Sequence, residues 1–337
     1  MRAARVTAVM AAILLTATTA ACDGGGDGDE PSPTSSGLPE PQEGRLTRLL
    51  GDGTGEPLTG TQPVPGAPVA LPVFLTVEPG GDLLGSQWRR SLFTLAPGGT
   101  AEALGDEGDR PWHAPVTALA GDETVLVLVD ETDTATLGTV SLDDGGFTEV
   151  ATLTDGVENV PVSGLLELPD ATYIQWAGTW WTITGGAADP TGAEPSTPPV
   201  EGIVASARTD AGVAVLTDTE LVLLDESLQE TGRSSWSLPP ELDGQTLTAV
   251  VGDGADGLYA TTATAASDGG GVVHITPDGV DLLAAGARPD GDDTDCDDAD
   301  TEATAAHLAL PIAVAVWQER LVVADQVCSS LLQLPLP

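Results

Sequence analysis

The chain contains no lysine, and its 337 residues hold only 11 basic side chains against 52 acidic ones. The formal net charge is therefore -41 at pH 7. Proteins that bind nucleic acids neutralise phosphates with basic side chains, so this composition excludes a nucleic-acid partner. The absence of lysine also excludes Schiff-base chemistry and a lysine general base.

Common catalytic motifs are also missing. The chain has no Gly-x-Ser-x-Gly nucleophile motif and no phosphate-binding Gly-x-x-x-x-Gly-Lys-Ser/Thr loop. Hydrophobic residues nevertheless make up 41% of the chain, which is enough to build a core despite the charge. Most of the chain is therefore expected to fold.

Residues 1–21 have the features of a bacterial secretory signal. Arg2 and Arg5 precede an apolar run from Val6 to about Ala17 that is too short to span a membrane, and small residues follow. The segment Thr19-Ala20-Ala21-Cys22 resembles the lipobox of bacterial lipoproteins. This resemblance implies that Cys22 is lipidated on its sulfur and becomes the N-terminus. Secretion without a lipid is the alternative.

Residues 22–44 are predicted to form a flexible tether. They are rich in glycine, proline, serine and acidic residues, and they have too few apolar side chains to offset the entropy of ordering. The predicted organisation is a signal peptide over 1–21, this tether, and one folded domain over 45–337. The membrane, reached through the lipid anchor, is an expected partner, and the expected location is the extracytoplasmic side of the cell membrane.

Export also makes the pairing of the three cysteines predictable. If Cys22 carries the lipid, Cys296 and Cys328 remain in an oxidising setting, where a disulfide is the expected state. This bond would connect the acidic segment around Cys296 to the last strand. Two free thiols with weak metal-binding or redox chemistry are the alternative, although no Cys-x-x-Cys spacing accompanies them.

Short apolar runs after the tether indicate an all-β fold. Thr124–Val129 and Thr219–Leu224 are examples, and glycine, aspartate and proline interrupt such runs every few residues. The segment Asp143–Gly146 (Asp-Asp-Gly-Gly) is typical of a tight turn. No long stretch keeps a helical period.

Internal similarity points to a repeated unit. Val69–Leu95 and Leu308–Leu334 both begin with an apolar residue and Ala-Leu-Pro, followed by three apolar strands separated by polar turns. The second copy, in which Leu321–Asp325 reads Leu-Val-Val-Ala-Asp, resembles the NHL-repeat family. That resemblance implies a β-propeller.

Unit starts near residues 72, 115, 161, 202, 246 and 311 predict six four-stranded blades around a channel. The last unit ends after its third strand, whereas Arg45–Leu50 is an unpaired strand at the start. We therefore predict that the propeller closes when this N-terminal strand pairs into the last blade.

The densest acidic run, residues 290–302, is a candidate cation site. Asp293, Asp295 and Asp297 alternate in a way that suits calcium, because hard cations bind several carboxylate oxygens. The EF-hand pattern fails, since Asp298 and Thr304 occupy the positions of its glycine and glutamate. A solvated insertion between blades is the simpler interpretation, so no cofactor is assigned beyond this candidate divalent cation.

The three histidines, His113, His274 and His307, are far apart in the sequence. Equivalent positions of different blades converge on a propeller channel, where three histidines can bind a metal ion. These three occupy non-equivalent places in their units, so we interpret them as surface or loop residues.

Tryptophan is unusually frequent, with seven residues against two tyrosines and three phenylalanines. Three fall in Thr172–Trp181, where a hairpin would place Trp176 and Trp181 beside its turn. Aromatic rings there would suit a sugar or a peptide. Packing between blades explains buried tryptophans equally well, so both roles stay open.

Two functions fit this sequence. The leading hypothesis is a non-enzymatic, lipid-anchored propeller that binds a small molecule, glycan or protein at its channel mouth, or acts as a scaffold. The alternative is a propeller enzyme of the lactonase or lyase type, with a divalent metal ion held at the channel by carboxylates or histidines. The residues that line the channel would distinguish them.

Overall fold

The computed structural model describes residues 37–88, 91–104, 116–121, 123–130, 134–154, 164–176, 178–264, 266, 269–287, 301–306 and 308–337. Several residues with predicted roles lie outside these ranges: Cys22, Cys296, Asp293, Asp295, Asp297, His113 and His307. Within the ranges, no helix has the length and apolar character needed to cross a membrane.

Almost all the regular secondary structure of the described chain consists of antiparallel strands, which form six sheets. In chain order the strands are β1 (Arg45–Leu50), β2 (Thr61–Pro63), β3 (Pro72–Val77), β4 (Leu83–Gln87), β5 (Leu92–Ala96), β6 (Thr100–Leu104), β7 (Val116–Ala120), β8 (Thr124–Asp130), β9 (Ala135–Ser141), β10 (Phe147–Leu153), β11 (Gly164–Glu167), β12 (Thr172–Trp176), β13 (Thr179–Thr184), β14 (Gly192–Ser196), β15 (Ile203–Thr209), β16 (Gly212–Thr217), β17 (Glu220–Leu224), β18 (Glu230–Ser235), β19 (Thr246–Gly252), β20 (Leu258–Ala263), β21 (Gly269–Thr276), β22 (Gly279–Ala287), β23 (Thr301–Glu302), β24 (Pro311–Trp317), β25 (Arg320–Asp325) and β26 (Ser330–Pro335). Two short 3-10 helices, Pro240–Leu242 and Ala303–Ala305, lie in connections.

These sheets are the six blades of a propeller, as predicted. The first strand of each blade lies innermost, and β3, β7, β11, β15, β19 and β24 contact one another in that order until β24 returns to β3. They begin at residues 72, 116, 164, 203, 246 and 311, within three residues of the expected unit starts. Blades 1 and 6 each gain a short fifth strand, β2 and β23, that the four-strand pattern does not include.

The N-terminal strand closes the ring, which confirms the predicted closure. Strand β1 pairs antiparallel with β26, and Thr47 lies opposite Gln333 in the register. Leu46, Leu49 and Leu50 on this strand are fully buried. Each blade otherwise buries its faces against its neighbours, as in the apolar cluster that β3 and β4 share with β8. The closing strand therefore stabilises the last blade and, through it, the ring.

The six inner strands run in the same direction, which gives the propeller two distinct faces. At the beginning of β19, the Thr248 hydroxyl donates a hydrogen bond to the Pro311 carbonyl at the beginning of β24. At its end, Gly252 packs against the backbone of Arg208 at the end of β15. We call the two faces the strand-start face and the strand-end face, after the ends of the inner strands that they carry.

Candidate functional site

The central channel contains a cavity of about 260 Å³ lined by residues from all six inner strands. Most of these residues are aliphatic or glycine. The polar side chains among them are Thr76, Thr117, Ser206 and Arg208. No carboxylate or histidine belongs to this lining in the part of the chain that the structure describes. Hydroxyl groups and a guanidinium are poor ligands for a divalent cation, which prefers carboxylate oxygens or imidazole nitrogen.

Ser206 and Arg208 are the polar groups of blade 4 in this channel. The Ser206 hydroxyl is buried and has no hydrogen-bond partner among the described residues. The Arg208 guanidinium donates to the Glu167 carbonyl and lies 3.6 Å from the Glu226 carboxylate. Because both side chains of that ion pair are about half exposed, it contributes little to stability. Arg208 is thus the one positively charged side chain in the described channel lining, and it already contacts groups of blades 3 and 4.

The aspartate of the Leu-Val-Val-Ala-Asp motif has a structural place in blade 6. Asp325 ends β25 and is fully buried. The backbone N–H groups of Ala309 and Leu310 donate to its carboxylate over 2.7 and 3.1 Å, and that of Cys328 donates over 3.2 Å. Gln87 accepts two backbone N–H bonds at the corresponding end of β4 in blade 1. In blades 6 and 1, respectively, these two side chains hold in place the connection that leads into the blade.

A second buried carboxylate pairs with His274 in blade 5. The Asp253 carboxylate lies 2.8 Å from His274 Nε2 and accepts backbone N–H bonds from Ala255 and Gly257. Burial by itself raises the pKa of Asp253, but these hydrogen bonds outweigh it and hold the pKa below its ordinary value. The His274 ring also stacks on Tyr259, with centroids 4.5 Å apart.

The expectation of a surface or loop position is therefore wrong for His274. Its side chain is only 15% exposed and projects from strand β21. Burial and the nearby Asp253 carboxylate also raise the pKa of Tyr259. Among the described residues, no group of three or more histidine, cysteine, aspartate or glutamate side chains is placed to hold a metal ion.

The two tryptophans predicted beside a hairpin turn are both buried. Trp176 is 3% and Trp181 is 9% exposed, and both belong to an apolar cluster between blades 2 and 3 that includes Leu128. The Trp181 indole N–H donates to the Thr179 hydroxyl. Of the two roles left open for these rings, this placement agrees with packing between blades.

Cys328 is disulfide-bonded, and its partner lies outside the described residues. The predicted pairing with Cys296 and the lipidation of Cys22 therefore stay predictions, as does the calcium site formed by Asp293, Asp295 and Asp297.

A larger cavity lies on the strand-start face between blades 4 and 5. We call it the Trp236 groove; its volume is about 760 Å³. Its lining comes from blade 4, from the connection that joins β18 to β19, and from the start of β19. It consists of Val204, Asp218, Trp236, Ser237, Leu238, Pro239, Pro240, Leu242, Asp243, Gly244, Gln245, Thr246 and Leu247. The volume is within the range of small-ligand sites, and the lining combines apolar side chains with a few polar groups, as such sites do.

Hydrogen bonds hold the wall of the Trp236 groove in place. The Trp236 indole N–H donates to the Thr217 carbonyl over 3.0 Å, which fixes the ring. The Leu242 N–H donates to the Pro239 carbonyl over 2.9 Å, closing a turn that begins with two prolines. Gly244 follows with a φ of +79°, a backbone conformation that favours glycine. The groove is therefore preformed.

The N-terminal end of the described chain is fixed to the opposite face. Arg320, the first residue of β25, is 7% exposed and donates to the Pro39 carbonyl over 2.9 Å and to Gln333 Oε1 over 2.7 Å. Gln333 Nε2 donates to the same Pro39 carbonyl over 3.0 Å. Burial lowers the pKa of Arg320, and Glu40 partly offsets this. Residues within the predicted tether thus pack on the strand-end face.

A second contact places the chain on the same face. Gly99, in the turn between β5 and β6, approaches the backbone of Gly37 and Leu38 so closely that a β-carbon at position 99 would lie 2.8 Å from a Gly37 backbone atom. Gly37 and Leu38, like Pro39, therefore lie on the face opposite the Trp236 groove.

No protein-family model and no curated protein matches the chain. A protein of unknown function from Bacteroides thetaiotaomicron has a similar structure, with a TM-score of 0.55 and 7% identity over 86% of this chain and 75% of that chain. A putative 6-phosphogluconolactonase from Bacteroides fragilis gives a TM-score of 0.44 and 14% identity over 88% and 89% of the two chains. A PQQ-bound aldose sugar dehydrogenase from Streptomyces coelicolor gives 0.40 and 14% over 87% and 99%. The first similarity supports the fold alone, and the other two are too distant to support a function.

Proposed function

We propose that this protein is a lipid-anchored, extracytoplasmic β-propeller that binds a ligand on its strand-start face and carries out no chemistry. We also propose that Leu308–Leu334 is an NHL-like repeat. The observation that carries the binding proposal is the opposition of the two faces: Pro39 is held on the strand-end face, whereas the preformed Trp236 groove opens on the strand-start face.

This arrangement suits a binding module on a membrane. A lipid on Cys22 would be 15 residues from Gly37, and a flexible segment of that length spans about 20 Å on average. Such a spacer keeps the strand-end face towards the membrane and leaves the Trp236 groove accessible to molecules outside the cell.

The described channel lining supports binding over metal-dependent catalysis. The alternative enzyme needs carboxylates or histidines that converge from several blades. The channel cavity offers Thr76, Thr117, Ser206 and Arg208 instead. Protein purified without chelator should therefore hold no stoichiometric divalent metal. A stoichiometric metal that is lost when a channel-facing residue is replaced would favour the enzyme.

Anchoring is tested by replacing the lipidated cysteine. Cys22→Ala should move the protein from the membrane fraction to the medium, because the acyl chains that anchor it would then be absent. Ser35→Ala, in the same predicted tether, is the matched control and should stay with the membrane. Retention of the Cys22→Ala protein in the membrane fraction would overturn the anchoring proposal.

A further inference from the structure

The Trp236 groove has a distinctive distribution of charge. Asp218, in the turn between β16 and β17, and Asp243, after the 3-10 turn, both line it. Both residues are exposed, and neither carboxylate has a hydrogen-bond or ion-pair partner among the described residues. No basic side chain belongs to the part of the lining that the structure describes. Two carboxylates without a described partner thus line the same groove as the Trp236 ring, leucines and prolines.

We propose that the Trp236 groove binds a small organic cation with an apolar body, such as an arylalkyl ammonium. This proposal deepens the proposed binding function and rests on it. The cationic group would lie between the carboxylates of Asp218 and Asp243, and the apolar body would pack on the Trp236 ring and Leu238.

Three properties of the groove select such a ligand. A tryptophan face attracts cations through its quadrupole, and this attraction strengthens when water is excluded. Carboxylates beside a low-dielectric wall attract a cation more strongly than carboxylates on an open surface, and they repel anions. The hydrogen bonds of Trp236 and the 3-10 turn fix the wall in advance, so little entropy is lost when a ligand binds.

The groove itself separates this ligand from alternatives. Its volume of about 760 Å³ accommodates a small molecule in full. A strongly hydrated ion such as Na⁺ would make no use of the apolar wall, and an uncharged apolar molecule would make no use of the carboxylates. The combination therefore assigns a ligand that has both a positive charge and an apolar surface.

Three probes that share a phenylethyl group test the proposal on the full chain at pH 7: phenethylammonium, its neutral N-acetyl derivative, and the anionic 3-phenylpropionate. Binding is followed by tryptophan fluorescence and by isothermal titration calorimetry. We expect saturable binding of the cation, binding of the neutral probe that is about tenfold weaker, and no binding of the anion. Added salt should weaken the binding of the cation only.

A charge-matched pair of double variants identifies the source of this selectivity. Asp218→Asn with Asp243→Asn should weaken cation binding about tenfold and leave the neutral probe unchanged. Asp210→Asn with Asp278→Asn changes the net charge equally, but both residues are exposed in turns on the strand-end face, so this control should keep the affinity of the unsubstituted protein. Trp236→Leu should weaken the binding of both probes. Thermal unfolding checks that every variant is folded.

Two outcomes would overturn the proposal in different ways. Equal binding of all three probes, or equal losses in the two double variants, would leave a binding groove but eliminate the cationic class of ligand. Absence of saturable binding by any probe would eliminate the Trp236 groove as the site. Neither outcome affects the Cys22→Ala test, so a failure of the ligand class is distinguishable from a failure of membrane anchoring.

Discussion

Removal of the closing strand should destabilise the whole propeller. Deleting residues 44–51 eliminates β1, which pairs with β26 and buries Leu46, Leu49 and Leu50 completely. Full burial of a leucine contributes about 1.5–3 kcal/mol, so these three contribute about 5–9 kcal/mol together. A folded domain is stabilised by only about 5–15 kcal/mol in total, so the deletion removes a large part of the free energy of unfolding.

Urea denaturation followed by tryptophan fluorescence and circular dichroism measures this loss. Deleting residues 23–30 removes the same number of residues from the predicted tether and is the matched control. The unfolding midpoint should fall sharply, or the protein should fail to fold, only when residues 44–51 are deleted. Equal midpoints in the two deletions would refute closure by β1.

A point substitution on the same strand gives a graded version of the test. Leu49→Ala creates a cavity in the closing strand and should cost about 2–5 kcal/mol. Leu71→Ala, at a leucine that is 37% exposed, is the control and should cost much less. An equal loss of unfolding free energy at the two positions would show that burial of the closing strand does not stabilise the propeller more than an exposed position does.

Two further substitutions test the buried carboxylates. Asp325→Ala leaves three backbone N–H groups without their acceptor and should lower the free energy of unfolding by about 3–5 kcal/mol, whereas Asp325→Asn, which retains one acceptor oxygen, should cost less; equal losses measured by urea titration would contradict this role. The pKa of Asp253 is lowered in the folded state, so its stabilising effect is complete above the unfolded pKa of about 4 and is lost as the pH falls through the lower folded value. Asp253→Asn should therefore flatten the fall in thermal stability below about pH 4, and an unchanged pH profile would contradict the assignment.

Much of the fold could be predicted because a propeller repeats its signals. Copies of one apolar, proline-containing pattern lie near most of the inner strands, and this repetition predicted the six starts to within three residues. The odd strand Arg45–Leu50 and the incomplete last unit predicted the closure. Strands β2 and β23 were missed because elements of three and two residues are too short to show an alternation of apolar and polar side chains.

The role of the tryptophans could not be decided from the sequence. Trp176 and Trp181 lie on strands where either an exposed platform or an inter-blade contact fits the local pattern. The neighbouring blade favours packing, since Leu126 and Leu128 of blade 2 pack in the same buried cluster as both rings. That contact joins segments about 50 residues apart, so no local window contains it.

The Trp236 groove was missed for a similar reason, although one local signal was present. Its lining joins Val204 and Asp218 to the connection 236–245, and only the packing of blade 4 on blade 5 brings these parts together. The run Trp236-Ser-Leu-Pro-Pro240 could have indicated it, because paired prolines stiffen a connection and a tryptophan after the polar outer strand β18 has no place in a regular blade.

Acidity alone could not have located this site, because 52 carboxylates are distributed along the chain and most of them are expected to keep it soluble. Asp218 and Asp243 line a groove that has an apolar wall and a tryptophan ring, whereas Asp210 and Asp278, which are also exposed, lie in turns on the opposite face. In the proposed binding mode, the apolar wall and the tryptophan ring give the carboxylates of Asp218 and Asp243 a selectivity for organic cations that exposed carboxylates elsewhere on the ring lack. The proposed recognition of an organic cation therefore depends on the connection between blades 4 and 5 more than on the net charge of the chain.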